Sequence, residues 1–408
     1  MPARVLVLNQ YYYPDTSATS QLLTELCEEL AVEFDVWVVT GRPSYEAIDT
    51  DRPKLDDSHI HNGVRILRVW STNFPRTRMP ARLTNYATFL ATCVLGALCA
   101  PRPDLVVALT DPPIVGLIGA MTARIKRRPF VLIVQDIHPQ AAVASGQVGR
   151  SQVTRLLEGI GTLLFRSADR VVSIGRDMDR RLLHLGVQPA KLVRINNWGL
   201  GTIEPDPSAA QAFRQAHGWN GRFVVMHSGN IGWAQGLEVV IGAAERLGHR
   251  PEIVIAIVGQ GTRESTLQAE VRRRQLQNVT FVPWVPQALL GASLGAADIH
   301  LVVHVRGMIG FEVPSKIYGV LAVGKPVVAA LQEGSEVSMI LTELNCGVRV
   351  EPDDPAGLAA AIESMRDAGA AELQQMADRA RSGYEARYTR DIAVHRYLAL
   401  FRSLLRGT

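Results

Sequence analysis

Short β-branched runs alternate with helical segments along nearly all of this 408-residue chain, in two successive series. Few folds accept that pattern. Strands that alternate with helices build parallel sheets covered on both faces. The first series of strand candidates spans 3–9, 34–40, 64–70, 104–110, 130–136, 170–174 and 191–197. The runs are almost continuously apolar, as doubly covered strands must be. Between them lie amphipathic stretches such as 20–31, where Leu22, Leu23, Leu26 and Leu30 share one stripe. The segment 199–209, GLGTIEPDPSA, interrupts the alternation and reads as a linker. A second series follows at 222–229, 252–261, 279–285, 299–305, 325–331 and 346–352. A last helical segment, about 391–405, has no strand after it. The expectation is an α/β chain of two facing, doubly wound, Rossmann-like domains.

Composition narrows the function. Four scattered cysteines without a CxxC exclude a disulfide framework or a zinc ribbon and fit a reducing cytosol. Residues 1–8 run straight into a strand, with no signal-peptide pattern. The longest nearly uncharged stretch, 83–100, is diluted by Thr84, Asn85, Thr88 and Thr92. It reads as a buried or interfacial helix, not a span. Net charge is +4, yet ten cations face only Asp104 and Asp111 between residues 58 and 128. Such local basicity suits an anionic partner, although solvated helix ends explain any single arginine. Nucleic acid is disfavoured, because the basic segment lacks interleaved aromatics. A nicotinamide dehydrogenase is disfavoured because no strand-linked GxGxxG is present.

Open α/β sheets bind ligands beyond the carboxyl ends of their strands. After the strand at 222–229 comes SGNIGWAQGLE, whose Gly229, Gly232 and Gly236 permit close backbone approach to a ligand at a helix start. A plain turn explains it equally well. A second glycine turn, VGQGT with Gly259 and Gly261, favours a nucleotide pocket in this half. Trp284 and Val285 end another strand. In RGMIGFEVPSKIYGV, Arg306, Glu312 and Lys316 cluster near a strand end, and Pro314-Ser315 opens a helix with Ser315 as N-cap. A lysine in a helix's first turn opposes the dipole, so it makes most sense against a bound anion. In the first half, Asp15, Thr16, Ser17 and Thr19 crowd a helix start. Capping uses one or two of them, leaving Ser17 or Thr19 open to a phosphate or sugar. VQDIHPQ places Asp136 and His138 after a strand, as hydrogen-bonding or base candidates.

These motifs together resemble the WbuB-like bacterial glycosyltransferases of glycosyltransferase family four. The resemblance rests on LNQYYYPDTSATSQLLTELCEELA, SGNIGWAQGLE, VGQGT and PSKIYGVLAVGKPVVA, and runs from Val5 to about Ile362. It implies a GT-B architecture: residues 1–200 as an acceptor domain, 201–388 as a sugar-nucleotide domain, and 389–408 as a helix returning to the first. It implies retaining transfer from a nucleoside-diphosphate sugar, a UDP-sugar favoured, with no metal and no further cofactor. It implies work in lipopolysaccharide or exopolysaccharide synthesis, which makes a polyprenyl-diphosphate-linked saccharide the expected acceptor. Arg76, Arg78 and Arg82, ahead of the apolar stretch, then suit an anionic inner-membrane surface for a cytoplasmic, peripheral protein. The chain departs from the broader family. Asn230 and Gln235 stand where that family has a diphosphate-binding Arg and Lys, so Arg306 or Lys316 must supply the charge. Gly319 replaces the second of two spaced glutamates. The first falls at Phe311, so either the adjacent Glu312 fills that role in a shifted register or the ribose contact comes from Glu333 or Glu336. The rival readings are a non-catalytic subunit that binds lipid-linked sugar and a sugar-nucleotide epimerase.

Overall fold

The structure, a computed structural model, describes residues 2–43, 59–74, 79–201 and 203–406. The first domain carries β1 Arg4–Leu8, β2 Asp35–Thr40, β3 His59–His61, β4 Val64–Arg68, β5 Leu105–Leu109, β6 Phe130–Ile133, β7 Arg170–Ser173 and β8 Leu192–Arg194. They form one sheet in the order β3-β4-β2-β1-β5-β6-β7-β8. Every pairing is parallel except β3 with β4. The second domain carries β9 Phe223–Ser228, β10 Ile253–Val258, β11 Val279–Val282, β12 Ile299–Val303, β13 Val327–Ala330 and β14 Gly347–Val350. Its all-parallel order is β11-β10-β9-β12-β13-β14. Chain order reverses beside β1 in one sheet and beside β9 in the other. Each reversal opens a crevice at the carboxyl ends of the strands.

Every strand expected from the sequence forms. The added strand, β3, is a three-residue antiparallel edge, too short for any periodicity. Its His59 and Ile60 are exposed. The linker reading needs correction: Asp206 caps the helix Pro207–Ala216, accepting from the Ser208 and Ala209 N–H groups. The DPS triplet is a helix start, with proline at the first helical position.

The last helix, Arg390–Leu405, returns to the first domain. Ala393, Val394, Tyr397, Leu400 and Phe401 join the core built by Leu22, Leu26, Val36 and Val107. Each buried side chain of this size contributes roughly 1.5–3 kcal/mol of transfer free energy. Glu25 fastens the start of the crossover, accepting from Trp198 Nε1 and Gly201 N–H at 2.6 Å each.

The two domains also touch directly. Arg176 donates through its backbone N–H and its Nε to Glu336, at 2.6 and 3.0 Å. Asn196 Nδ2 reaches the same carboxylate. The Gly310 N–H donates to Asp177. The Ile137 N–H donates to the Phe311 carbonyl at 2.9 Å, and an isolated antiparallel bridge joins Asp136 to Glu312.

Candidate active site

The domain contact brings titratable side chains from both sheets into one line. Asp136 and His138 follow β6, and their Oδ2 and Nε2 lie 3.9 Å apart. Glu312 comes from the loop after β12 and is held opposite Asp136 by the backbone bridge. Its Oε1 lies 3.7 Å from Nε2 of the buried His304. Lys316, at the first position of the helix Lys316–Ala322, donates from Nζ to His227 Nε2 at 3.0 Å. His227 belongs to β9 and is fully buried. The Lys316 ammonium also lies against Gly229, where an added Cβ would sit 3.3 Å from Nζ.

The electrostatics divide this line in two. Desolvation, then the charges of Glu312 and Asp111, raises the Asp136 carboxyl well above the ordinary range. Desolvation also opposes ionisation of Glu312, but His304, His138 and Lys316 outweigh it and hold that carboxyl low. The two carboxyls are thus pushed in opposite directions, Asp136 toward its neutral form and Glu312 toward its ionised one. Desolvation and the nearby Arg82 lower His138 to about 4, so its imidazole is neutral near pH 7. Desolvation pulls Lys316 down to about 7, against the opposing pull of Glu312. Desolvation and then Lys316 push His227 well below its usual value, so it stays a neutral acceptor for the ammonium. Among the described residues, no carboxylate lies within ion-pair distance of Lys316. The ammonium therefore stands desolvated against a glycine turn with a neutral imidazole as its hydrogen-bond partner.

The glycine turns work differently from the expectation. Three of the four amides from Gly229 to Gly232 are already engaged. Gly229 donates to Val258 O, Ile231 to Gln260 O, and Gly232 to Gln235 Oε1. Asn230 and Gln235 brace this turn, with Nδ2 of one 3.5 Å from Oε1 of the other. Gly259 and Gly261 are required by the protein's own backbone. A Cβ on Gly259 would lie 2.0 Å from Gly229 O, and one on Gly261 2.2 Å from Ile231 O. Their φ-permissive and side-chain-free positions stack one turn on the other. The amide dipoles expected to face a ligand are largely spent, which leaves Lys316 as the turn's positive charge.

Other expected residues lie elsewhere. Arg306 is half exposed and turns to Glu351, Asp353 and the Pro352 carbonyl. Glu336 is buried and committed to Arg176 and Asn196. Glu333 is 87% exposed at its side chain and 4.0 Å from Arg349. Within the chain itself, these are the partners of Arg306, Glu336 and Glu333. Ser315 is itself helical and makes no side-chain cap. Pro314 lines a water-sized cavity of about 10 Å³ with His304, Glu312, Gln332 and Ser335. Ser17 spends its hydroxyl capping the helix Ala18–Leu30, accepting from Ser20 N–H at 3.2 Å, while Thr19 sits partly buried in the first turn. Trp284 stands 41% exposed beyond β11, and Val285 packs against the cluster of Trp219 and Val224. Phe311 lies under the Arg181 guanidinium, 4.3 Å from its ring centroid, so Glu312 is the carboxylate that reaches the cleft. Arg82 is a cleft residue: Nε donates to Tyr86 Oη at 2.7 Å, and its charge acts on His138. Arg76 and Arg78 lie outside the described residues. Sequence reasoning missed the Arg176–Glu336 tie, whose partners are 160 positions apart with no shared motif. Among the described residues, no group of three or more His, Cys, Asp or Glu is arranged to hold a metal ion.

Residues 18–198 match the glycosyl transferase 4-like domain, and residues 222–367 match glycosyl transferases group 1. The chain belongs to the glycosyltransferases, with a 4-like domain followed by a group 1 domain. It is 26% identical to WbjE of Pseudomonas aeruginosa, named as a glycosyltransferase, across 99% of this chain and 98% of that protein. It is 27% identical to WcaI of Escherichia coli (strain K12), named for glycosyl transfer in colanic acid biosynthesis, across 88% of this chain and 91% of that protein. In fold it resembles Anabaena Alr3699/HepE, solved in complex with UDP-glucose. That match has a TM-score of 0.75 at 18% identity and covers 98% of this chain and 100% of that one. This glycosyltransferase therefore carries its two matched domains on either side of the cleft just described.

Proposed function

We propose that this glycosyltransferase moves a sugar from a nucleoside-diphosphate donor, a UDP-sugar by preference, to a lipid-linked saccharide, with retention of anomeric configuration. One observation carries the reading: the Lys316 ammonium, desolvated against Gly229, at one end of a titratable line that crosses the domain boundary. A diphosphate seated there gains its charge partner. Negative charge grows on the leaving phosphate as the glycosidic bond breaks, so a positioned ammonium stabilises the transition state more than the ground state. UDP is favoured because Alr3699/HepE was solved with UDP and UDP-glucose. The lipid-linked acceptor is supported by the colanic acid role in the name of WcaI.

The opposite side of the cleft suits a neutral acceptor. Protonated Asp136 can donate a hydrogen bond, and neutral His138 can accept one from an acceptor hydroxyl. In the transfer, the acceptor oxygen bonds the anomeric carbon on the face the phosphate leaves. The bond from that carbon to the phosphate oxygen breaks with its electron pair on oxygen. The hydroxyl proton passes to the leaving phosphate, so no strong protein base is needed. Glu312, held ionised, can steady positive charge on the sugar ring.

The test is transfer of label from UDP-[14C]glucose and from other labelled UDP- and GDP-sugars into a bacterial lipid extract. The reading expects acceptor-dependent label in the lipid phase with at least one donor, lost in Lys316→Ala. Turnover of a sugar nucleotide without acceptor would instead support an epimerase. No nucleotide binding at all would support a non-catalytic subunit.

A further inference from the structure

The strand β9 runs through four buried apolar residues, Phe223, Val224, Val225 and Met226, and then places a fully buried imidazole, His227. A buried imidazole gives up its hydration, so its nitrogens need partners inside the fold. Among the described residues the ring has two. Its Nε2 lies 3.0 Å and its Nδ1 3.4 Å from Lys316 Nζ. Nε2 also lies 3.4 Å from the Asn230 carbonyl oxygen, in the turn that follows the strand.

The two partners ask for different protons. With the proton on Nδ1, bare Nε2 accepts from the ammonium at 3.0 Å. With the proton on Nε2, that nitrogen donates to the Asn230 carbonyl, and bare Nδ1 faces the ammonium at 3.4 Å. Either neutral tautomer therefore offers Lys316 an acceptor. Only the imidazolium offers none, and desolvation, then Lys316 itself, oppose its formation. The other titratable groups acting on this pair are His300 on β12 and Glu312. His300 is engaged elsewhere, its Nε2 donating to the Leu294 carbonyl at 2.9 Å. Glu312 favours the ammonium through its charge alone.

We infer that His227 is the positioning residue of the donor seat: its neutral ring keeps the Lys316 ammonium protonated and held at the Gly229 turn until an anion takes over that hydrogen bond. A neutral acceptor suits the task. It yields the ammonium to a diphosphate without leaving a buried charge unpaired, as a carboxylate would. The role of His227 toward the donor rests on the proposed reading of Lys316; its role toward the lysine proton does not.

The proton on Lys316 can be read without any nucleotide. The full chain is labelled competitively with acetic anhydride across a pH series, and the peptide carrying Lys316 is quantified by mass spectrometry. His227→Phe keeps a ring and removes both nitrogens. The charged lysine then loses its hydrogen-bond partner, so its pKa falls and the labelling midpoint should move down by about one pH unit. His227→Gln restores a neutral acceptor and should bring the midpoint back to within about 0.3 unit of the parent. UDP affinity near neutral pH should follow the same order, about tenfold weaker in His227→Phe and within about twofold of the parent in His227→Gln. A merely structural role would lower Tm and leave the midpoint in place. An unchanged midpoint in a folded His227→Phe overturns the inference. So does an imidazolium at His227 in the parent near neutral pH, read from its ring ¹⁵N resonances, which His227→Gln identifies by their loss; that measurement decides the matter even where His227→Phe does not fold. A midpoint that follows the variants while UDP affinity does not leaves the positioning role standing and removes the donor reading.

Discussion

The two halves of the cleft are built from the same kind of sheet yet prepare opposite chemistry. Beyond β6, desolvation favours neutral groups: an Asp136 carboxyl raised well above its ordinary range and an uncharged His138. Beyond β9, a fully buried neutral His227 holds a lysine against a glycine turn. On the proposed reading, the first arrangement serves a hydroxyl and the second a phosphate. What separates them is the identity of the groups at each strand end and the Glu312 loop that joins them. The same desolvation that neutralises a carboxyl also lowers Lys316 to about 7, so its charge is poised rather than fixed.

Removing the second half's cation should break the comparison most severely. Lys316→Ala is expected to lower donor turnover about 10²–10³-fold, measured as acceptor-dependent nucleotide release. On the first half, Asp136→Ala should cost about 10–100-fold in kcat and leave UDP affinity within about twofold. Loss of UDP affinity in that variant would merge the two halves into one site.

A pH titration sharpens the same contrast. The Lys316 pKa is lowered, so the unliganded protein loses this charge as pH rises through about 7. Only the protonated form pairs with a diphosphate. UDP affinity should therefore fall as pH rises from 7 to 8.5, on the order of tenfold in total, with proton uptake on binding. Lys316→Gln should flatten that slope. The smallest effect is expected at Arg306, which is turned toward Glu351 and Asp353. Arg306→Ala should leave kcat and UDP affinity within about twofold of the parent.

The sheets were legible because buried parallel strands leave long β-branched runs, and only the three-residue β3 carries too little pattern. The helix at Pro207 was hidden because Asp-Pro-Ser serves turns and helix starts alike. Of the site, Asp136, His138, Glu312 and Lys316 could be read from their places after strands. The partners that fix their charge could not. His304 meets Glu312, and His227 meets Lys316, only when β9, β12 and the 312–316 loop are folded together. Gly259 shows the converse. Its sequence context suggested a ligand, whereas the atom it makes room for is Gly229 O. Glu336 likewise stands near a strand end, but Arg176 claims it from the other domain.

The central claim is that Lys316 is the donor's anchor while Asp136 serves the other substrate. Calorimetric titration of UDP into the parent, Lys316→Ala and Asp136→Ala tests it most directly. The account predicts binding to the parent, affinity at least about tenfold weaker in Lys316→Ala, and unchanged affinity in Asp136→Ala. Equal UDP affinity in the parent and Lys316→Ala would contradict it.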